Sequence, residues 1–104
     1  MIITNIESVP GKKIEEHYGL VAGSTVRAKH AGKDFMASLK NFTGGELTSY
    51  TELLNESRNE ATDRMIAQAK GLGANAVINV RFSTSSIASG AAELYVYGTA
   101  VRIV

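Results

Sequence analysis

The chain has 104 residues, of which 44% are hydrophobic and 20% charged, and its formal net charge is +1. That composition excludes wholesale disorder and fits one domain, here residues 1–104. The near-neutral balance without a Lys/Arg run gives no pull toward nucleic acid, and the absence of cysteine excludes disulfides and thiolate metal sites.

The opening Met1-Ile2-Ile3-Thr4-Asn5 lacks a basic segment followed by an apolar one, so no secretory leader is expected. No stretch approaches the roughly 18–20 apolar residues that span a bilayer. The expected location is the cytoplasm, with no membrane partner. Met1–Thr4 is short, apolar and β-prone, and Val9-Pro10-Gly11 is a turn signal. Tyr18 to Lys29 reads as a strand whose Gly19 and Gly23 mark bends or close backbone approach. Gly32 to Phe42 carries Phe35, Leu39 and Phe42 at helical spacing and predicts a short helix, broken by Gly44-Gly45.

A long helix follows. Ser49 and Glu52 fit a capping box at its start, although Glu46-Leu47-Thr48 also suit a helix. It runs to about Leu72, roughly 35 Å at 1.5 Å per residue, and Gly71 and Gly73 supply its stop. Spaced about 100° apart, Leu47, Tyr50, Leu54, Ala61, Met65 and Leu72 form an apolar stripe, with Glu52, Glu56, Asp63 and Lys70 opposite. Arg58 breaks the pattern by falling near the stripe. Its cation must pair with a carboxylate, meet a ligand or snorkel outward. Asp34, which opens the short helix, is the leading carboxylate. Glu52, Glu56 and Glu60 repeat every four residues. They suit either a hard cation or a solvated face on which Glu60 supports Arg64.

Ala76 to Phe82 alternates, placing Ala76, Ile78, Val80 and Phe82 on one face and Val77, Asn79 and Arg81 on the other. Ser83 to Ala91 reads as a mobile hairpin connection. Glu93 to Val104 is the last strand. Leu94, Val96, Ala100 and Val104 line one face; Tyr95, Tyr97, Val101 and Ile103 line the other. Both faces are apolar, and one helix layer covers only one. Another copy of the chain is the simplest cover for the second, so a homo-oligomer is expected.

Local catalytic motifs are absent. No Walker loop, Gly-x-Gly-x-x-Gly run or Gly-x-Ser-x-Gly elbow occurs, which leans against an enzyme. His17 and His30 are the only histidines and stand in no ligand pair. Each suits a surface or strand edge. In a ring, one histidine per copy would gather around the axis and could hold a metal ion.

Several pieces together resemble one family: Thr4, Pro10-Gly11, Gly19-Leu20-Val21-Ala22-Gly23, Asp34-Phe35, Gly44-Gly45-Glu46, Tyr50, Arg58-Asn59-Glu60-Ala61, Gly73-Ala74-Asn75-Ala76-Val77 and Gly98-Thr99-Ala100-Val101. They follow the order of the YbjQ-like family of small bacterial proteins along nearly the whole chain. The resemblance implies an α+β subunit, with a sheet of about four strands packed with one short and one long helix, assembled into a ring-shaped homopentamer. The family's label is heavy-metal binding, yet soft ligands are scarce in this chain. The expected function is an oligomeric protein that binds a metal ion or small ligand at subunit interfaces. Arg58, Asp34 and Tyr50 are the ligand candidates, and His17 and His30 the metal candidates. A structural or interaction module without a ligand, and an enzyme with an intersubunit site, are the alternatives.

Overall fold

The computed structural model describes residues 1–27, 44–88 and 91–104. The elements are β1 (Ile2–Ile3), β2 (Ile14–Arg27), α1 (Gly44–Gly71), β3 (Ala76–Ala88) and β4 (Ala91–Ile103). The strands form one mixed sheet in the order β1-β3-β4-β2. β1 runs parallel to β3, and the other neighbours are antiparallel. The expected α+β class and four strands are therefore present, with one described helix. The short helix expected over Gly32–Phe42 lies outside the described residues.

α1 begins at Gly44, five residues before the expected capping box, so Ser49 sits inside the helix rather than at its cap. The glycine pair expected to break a helix opens the long one. Its 28 residues span about 42 Å. Gly73, at φ +93°, closes the helix as foreseen: Ala74 N–H donates to Ala69 C=O at 3.1 Å, and Gly73 N–H to Lys70 C=O at 3.0 Å. This is the two-bond stop that only a left-handed residue permits without strain.

The helix lies along β2. Ser57, Ala61, Met65 and Ala69 form its buried stripe; Ala61 and Met65 belong to the expected set, and the side chains of Leu47 and Tyr50 lie outside the described residues. Leu72 was expected in the stripe but is 46% exposed, because it lies beyond the helix stop. Opposite stand Val21 and Val96, which close the core with Val77 and Ala100. Gly23 makes the approach possible. A Cβ there would run into the Ala61 carbonyl oxygen and come within 2.6 Å of the Met65 amide. The helix also finishes the outer edge of β2. Gln68 Oε1 accepts from Ala22 N–H at 2.8 Å, and the Arg64 guanidinium donates to Ser24 C=O. Glu60 holds Arg64 in place, 2.6 Å from its Nη2. Free strand groups are thereby paired and hidden from other chains.

β3 departs from simple alternation. Asn79 adopts φ 53°, and the pairing with β4 slips between Ile78 and Arg81. Asparagine tolerates this left-handed conformation better than most residues. One extra residue turns the rest of the strand over. Val77, Val80 and Phe82 thus share the helix side, while Ala76, Ile78 and Arg81 share the other, which corrects the expected division. The strand also continues through the serines to Ala88, replacing the expected mobile connection over Ser83–Ala91. Thr84 and Ser86 pair with Leu94 and Ala92 in the ladder, so cross-strand hydrogen bonding outweighs the turn preference of the serines.

The face away from the helix has a smaller core of Ala76, Ile78, Val101 and Ile103, with Val9 packed against it. The segment after β1 supplies this cover. Thr4 N–H donates to Val77 C=O, Val80 N–H to Thr4 C=O and Asn79 N–H to Ile6 C=O, each at 3.0 Å.

Candidate functional site

Beyond that small core the face is open. Its membership follows from strand register, since directly paired residues point the same way. Ser24 pairs with Tyr95, Ala22 with Tyr97, Leu20 with Thr99 and His17 with Val101. From β3, Ser83 joins Tyr95 and Arg81 joins Tyr97. The Tyr95 and Tyr97 rings lie 5.5 Å apart at 32° and are half-buried. Leu20 is 68% exposed and Val26 52%. A hydrophobic strip flanked by two tyrosines therefore faces solvent on the sheet side expected to need a partner, and His17 stands exposed on that side.

Arg81 occupies the margin of the strip. Its Nη1 donates to Asn5 C=O at 2.6 Å and to Val80 C=O at 3.0 Å. The guanidinium pins the N-terminal segment where that segment's cover of β3 stops. Arg81 has no role in the strand's alternation pattern, because the bulge that turns it to this face is not visible there.

A polar corner lies at the other end of the sheet, on the helix side. Glu16 pairs with Arg102 across the strands, and Arg102 Nη1 donates to Gly73 C=O at 3.1 Å. Tyr18 packs on the main core beside this helix terminus. Its hydroxyl pKa is raised, first by the hydrogen bond to Glu16, then by burial and the Glu16 charge; Arg102 opposes the shift. The arrangement favours a neutral phenol and locks the corner.

Arg58 is exposed, and its Nη1 donates to Asn55 Oδ1 at 2.9 Å. It falls just outside the buried stripe that Ser57 and Ala61 define. Asp34 and His30 lie outside the described residues, as does the side chain of Tyr50. Glu52 and Glu56 are exposed, and Glu60 engages Arg64.

A heavy-metal ion asks for several imidazole or sulfur donors in one shell. Among the described residues no three His, Cys, Asp or Glu side chains gather closely enough to hold a metal. His17 is the sole described histidine, and the chain has no cysteine. The described donor set of one copy does not fit such an ion. Among the described residues no helix is long and apolar enough to cross a membrane.

Comparison with known proteins places these features in a family. The chain is 69% identical over 101 residues to a UPF0145 protein of Hahella chejuensis, covering 97% of each. It is 63% identical over 102 residues to a UPF0145 protein of Psychrobacter arcticus, of which it spans 65%. A UPF0145 protein of Archaeoglobus fulgidus is 58% identical over 103 residues, with 99% of this chain and 95% of that one covered. Among solved structures, a protein of unknown function from Pediococcus pentosaceus, of the DUF74 family, shares the fold. Its TM-score is 0.64 at 17% identity, over 100% of this chain and 98% of that one. A family model described as "Putative heavy-metal-binding" matches residues 1–104, and the chain belongs to this YbjQ family.

Proposed function

We propose that the chain works as a homo-oligomer, five copies being the count its resemblance implies, and that it binds a metal ion or small ligand where copies meet. The observation that supports self-assembly is excess surface. The chain exposes 6668 Å², against about 5,700 Å² for a folded monomer of this mass. Its radius of gyration is 16.7 Å with extents of 52 × 26 × 17 Å, where about 13 Å suits a compact chain of this length. The surplus of about 1,000 Å² is comparable to one partner's share of a standard interface. The strip of Leu20, Val26, Tyr95 and Tyr97 is the apolar face available for it.

Light scattering at micromolar concentration tests assembly. A mass of several chains is expected, and Tyr97→Asp lowers it by placing a charge on the contact face; a monomeric wild type overturns the reading.

His17 stands on the open face, so assembly is the route by which one imidazole per copy becomes a shell of several. Calorimetric titration with Zn²⁺, Ni²⁺ or Cu²⁺ should show binding that weakens below about pH 6, as imidazole protonates. Binding should vanish when His17 and His30 are both replaced by Ala. Tight binding that survives the double replacement shifts the site to the helix carboxylates. A small anionic ligand would instead be held by Arg58 with Asp34 and Tyr50, and thermal shift against small acids and nucleotides tests that arm. The lack of a described metal cluster favours one second reading, a structural module without a ligand; a silent result in both screens would establish it.

A further inference from the structure

The N-terminal segment is held to the sheet by its main chain far more than by its side chains. Ile2 N–H donates to Asn75 C=O at 3.4 Å. Thr4 bridges the bulge, its N–H on Val77 C=O and its C=O accepting from Val80 N–H, while Ile6 C=O accepts from Asn79 N–H. Yet Met1, Ile2, Ile3 and Ile6 are all exposed. Val9 is the residue that packs on the small core of Ala76, Ile78, Val101 and Ile103. Segments with few buried apolar contacts open locally, well below the free energy of global unfolding.

The bonds are also interdependent. Asn79 and Val80 are chain neighbours, and in a regular strand their N–H groups would point to opposite sides. The bulge sends both to the N-terminal segment. Their acceptors, Ile6 and Thr4, lie two residues apart on one short stretch, so the two contacts are made and lost together.

The segment ends at a firm anchor. Lys12 N–H donates to Val9 C=O at 3.0 Å across Pro10 and Gly11, and Lys13 and Val104 exchange main-chain bonds of 3.1 and 2.9 Å. This turn stays with the sheet and serves as a pivot. Away from the pivot a side chain fastens the segment, with Arg81 Nη1 on Asn5 C=O at 2.6 Å. The guanidinium charge makes that bond stronger than one between neutral groups.

We propose that Met1–Val9 is a strap that opens and closes as one unit about the Pro10-Gly11 turn, that Arg81 is its latch, and that it gates the open face of the sheet. Closed, the strap lays Val9 over the small core. Open, it leaves Ala76, Ile78, Val101 and Ile103 uncovered. Val101 pairs with His17, so these residues extend the strip of Leu20 and the tyrosines past the histidine. Opening also frees the Arg81 cation beside Tyr97, its partner in the ladder. The device operates within one copy and stands apart from the self-assembly reading.

The test uses the full chain. It has no cysteine, so one introduced thiol reports the exposure of one position. Val101 and Val96 are both fully buried, the first in the small core and the second under the helix. The thiol of the Val101→Cys variant should react with a soluble disulfide reagent about tenfold or more faster than that of Val96→Cys, because strap opening reaches the first and global unfolding alone reaches the second. Adding Arg81→Ala should speed the first about fivefold and leave the second unchanged. Hydrogen exchange of the wild type needs no substitution. The Thr4, Asn79 and Val80 amides should share one protection factor within about threefold, below that of the Asn75 amide, whose acceptor is Val101 C=O on β4. Equal thiol rates at the two positions, or unrelated protection of the three strap amides, overturns the strap. An Arg81→Ala replacement that changes neither thiol rate, or speeds both alike, overturns the latch.

Discussion

The two ends of the β3–β4 ladder differ in everything but hydrogen bonding. Around Val77 and Ala100 the sheet carries a helix on one face and the N-terminal segment on the other. Around Ser83 and Tyr95 the described residues of β3 are exposed on both faces. A ladder of main-chain bonds is common to both, so those bonds do not distinguish a stable region from an exposed one. Side-chain burial does. The difference teaches that, among the described residues, side-chain burial in this ladder is concentrated at one end while the other end stands exposed.

The largest expected effect breaks the stable end at its tightest point. Gly23→Val puts a side chain into the Ala61 carbonyl and the Met65 amide. Backbone cannot yield as a flexible side chain does, so a loss of about 4 kcal/mol or more is expected in urea unfolding, or no folded protein at all. Retention of wild-type stability would show that the helix does not sit on β2 at this distance.

A matched pair of truncations sharpens the contrast. Met65 is fully buried, and Met65→Ala should cost about 2–5 kcal/mol. Phe82 is the larger side chain but half exposed, and Phe82→Ala should cost about 1 kcal/mol or less in the dissociated chain. Equal losses at the two positions would mean that the ends are not energetically distinct.

Arg58 adds a smaller test on the helix. Its exposure lowers the worth of any carboxylate partner to about 1 kcal/mol or less, well under the several kcal/mol of a buried pair. A double-mutant cycle with Asp34→Ala reads that coupling directly. Coupling of about 3 kcal/mol or more would require burial of Arg58 in the assembly.

The smallest effect is a pH dependence at the covered end. Tyr18 has its hydroxyl pKa raised above the ordinary value of 10.0 by Glu16 and by burial. The native state therefore holds this proton more tightly than the unfolded chain does. Its stabilising contribution is complete below pH 10.0 and is lost as pH rises through the native value. Unfolding curves should fall more steeply with alkaline pH in the wild type than in Tyr18→Phe; identical slopes would remove Glu16 as the cause.

The contrast also explains what could be read from residues alone. The faces of β4 were legible because it alternates without interruption, and Gly73 marked the helix end by its chemistry. β3 misled at one residue: Asn79 looks like an ordinary outward polar position, and nothing in the alternation announces that it bulges. The helix start misled because a glycine pair is a poor helix former, and the capping box at Ser49 and Glu52 offered a stronger signal five residues on. Ala61 and Met65 were legible in the buried stripe, while Ser57 and Ala69 are too small or too polar to stand out as core by hydropathy. Tyr95 and Tyr97 were foreseen on the uncovered face. Arg81 was missed, since its position there depends on the bulge. Excess surface is a property of the folded shape and has no local signature.

The bulge at Asn79 has a consequence for how this chain can change over time. A strand is written in a two-letter frame of inside and outside, and one supernumerary residue resets the frame for everything after it. Removing that residue would put Phe82 among the tyrosines and Arg81 under the helix layer while leaving every other letter intact. Insertions and deletions here are therefore frameshifts in three dimensions. A lineage that loses the extra residue must rewrite the polarity of the next five positions or give up the exposed end as it now stands.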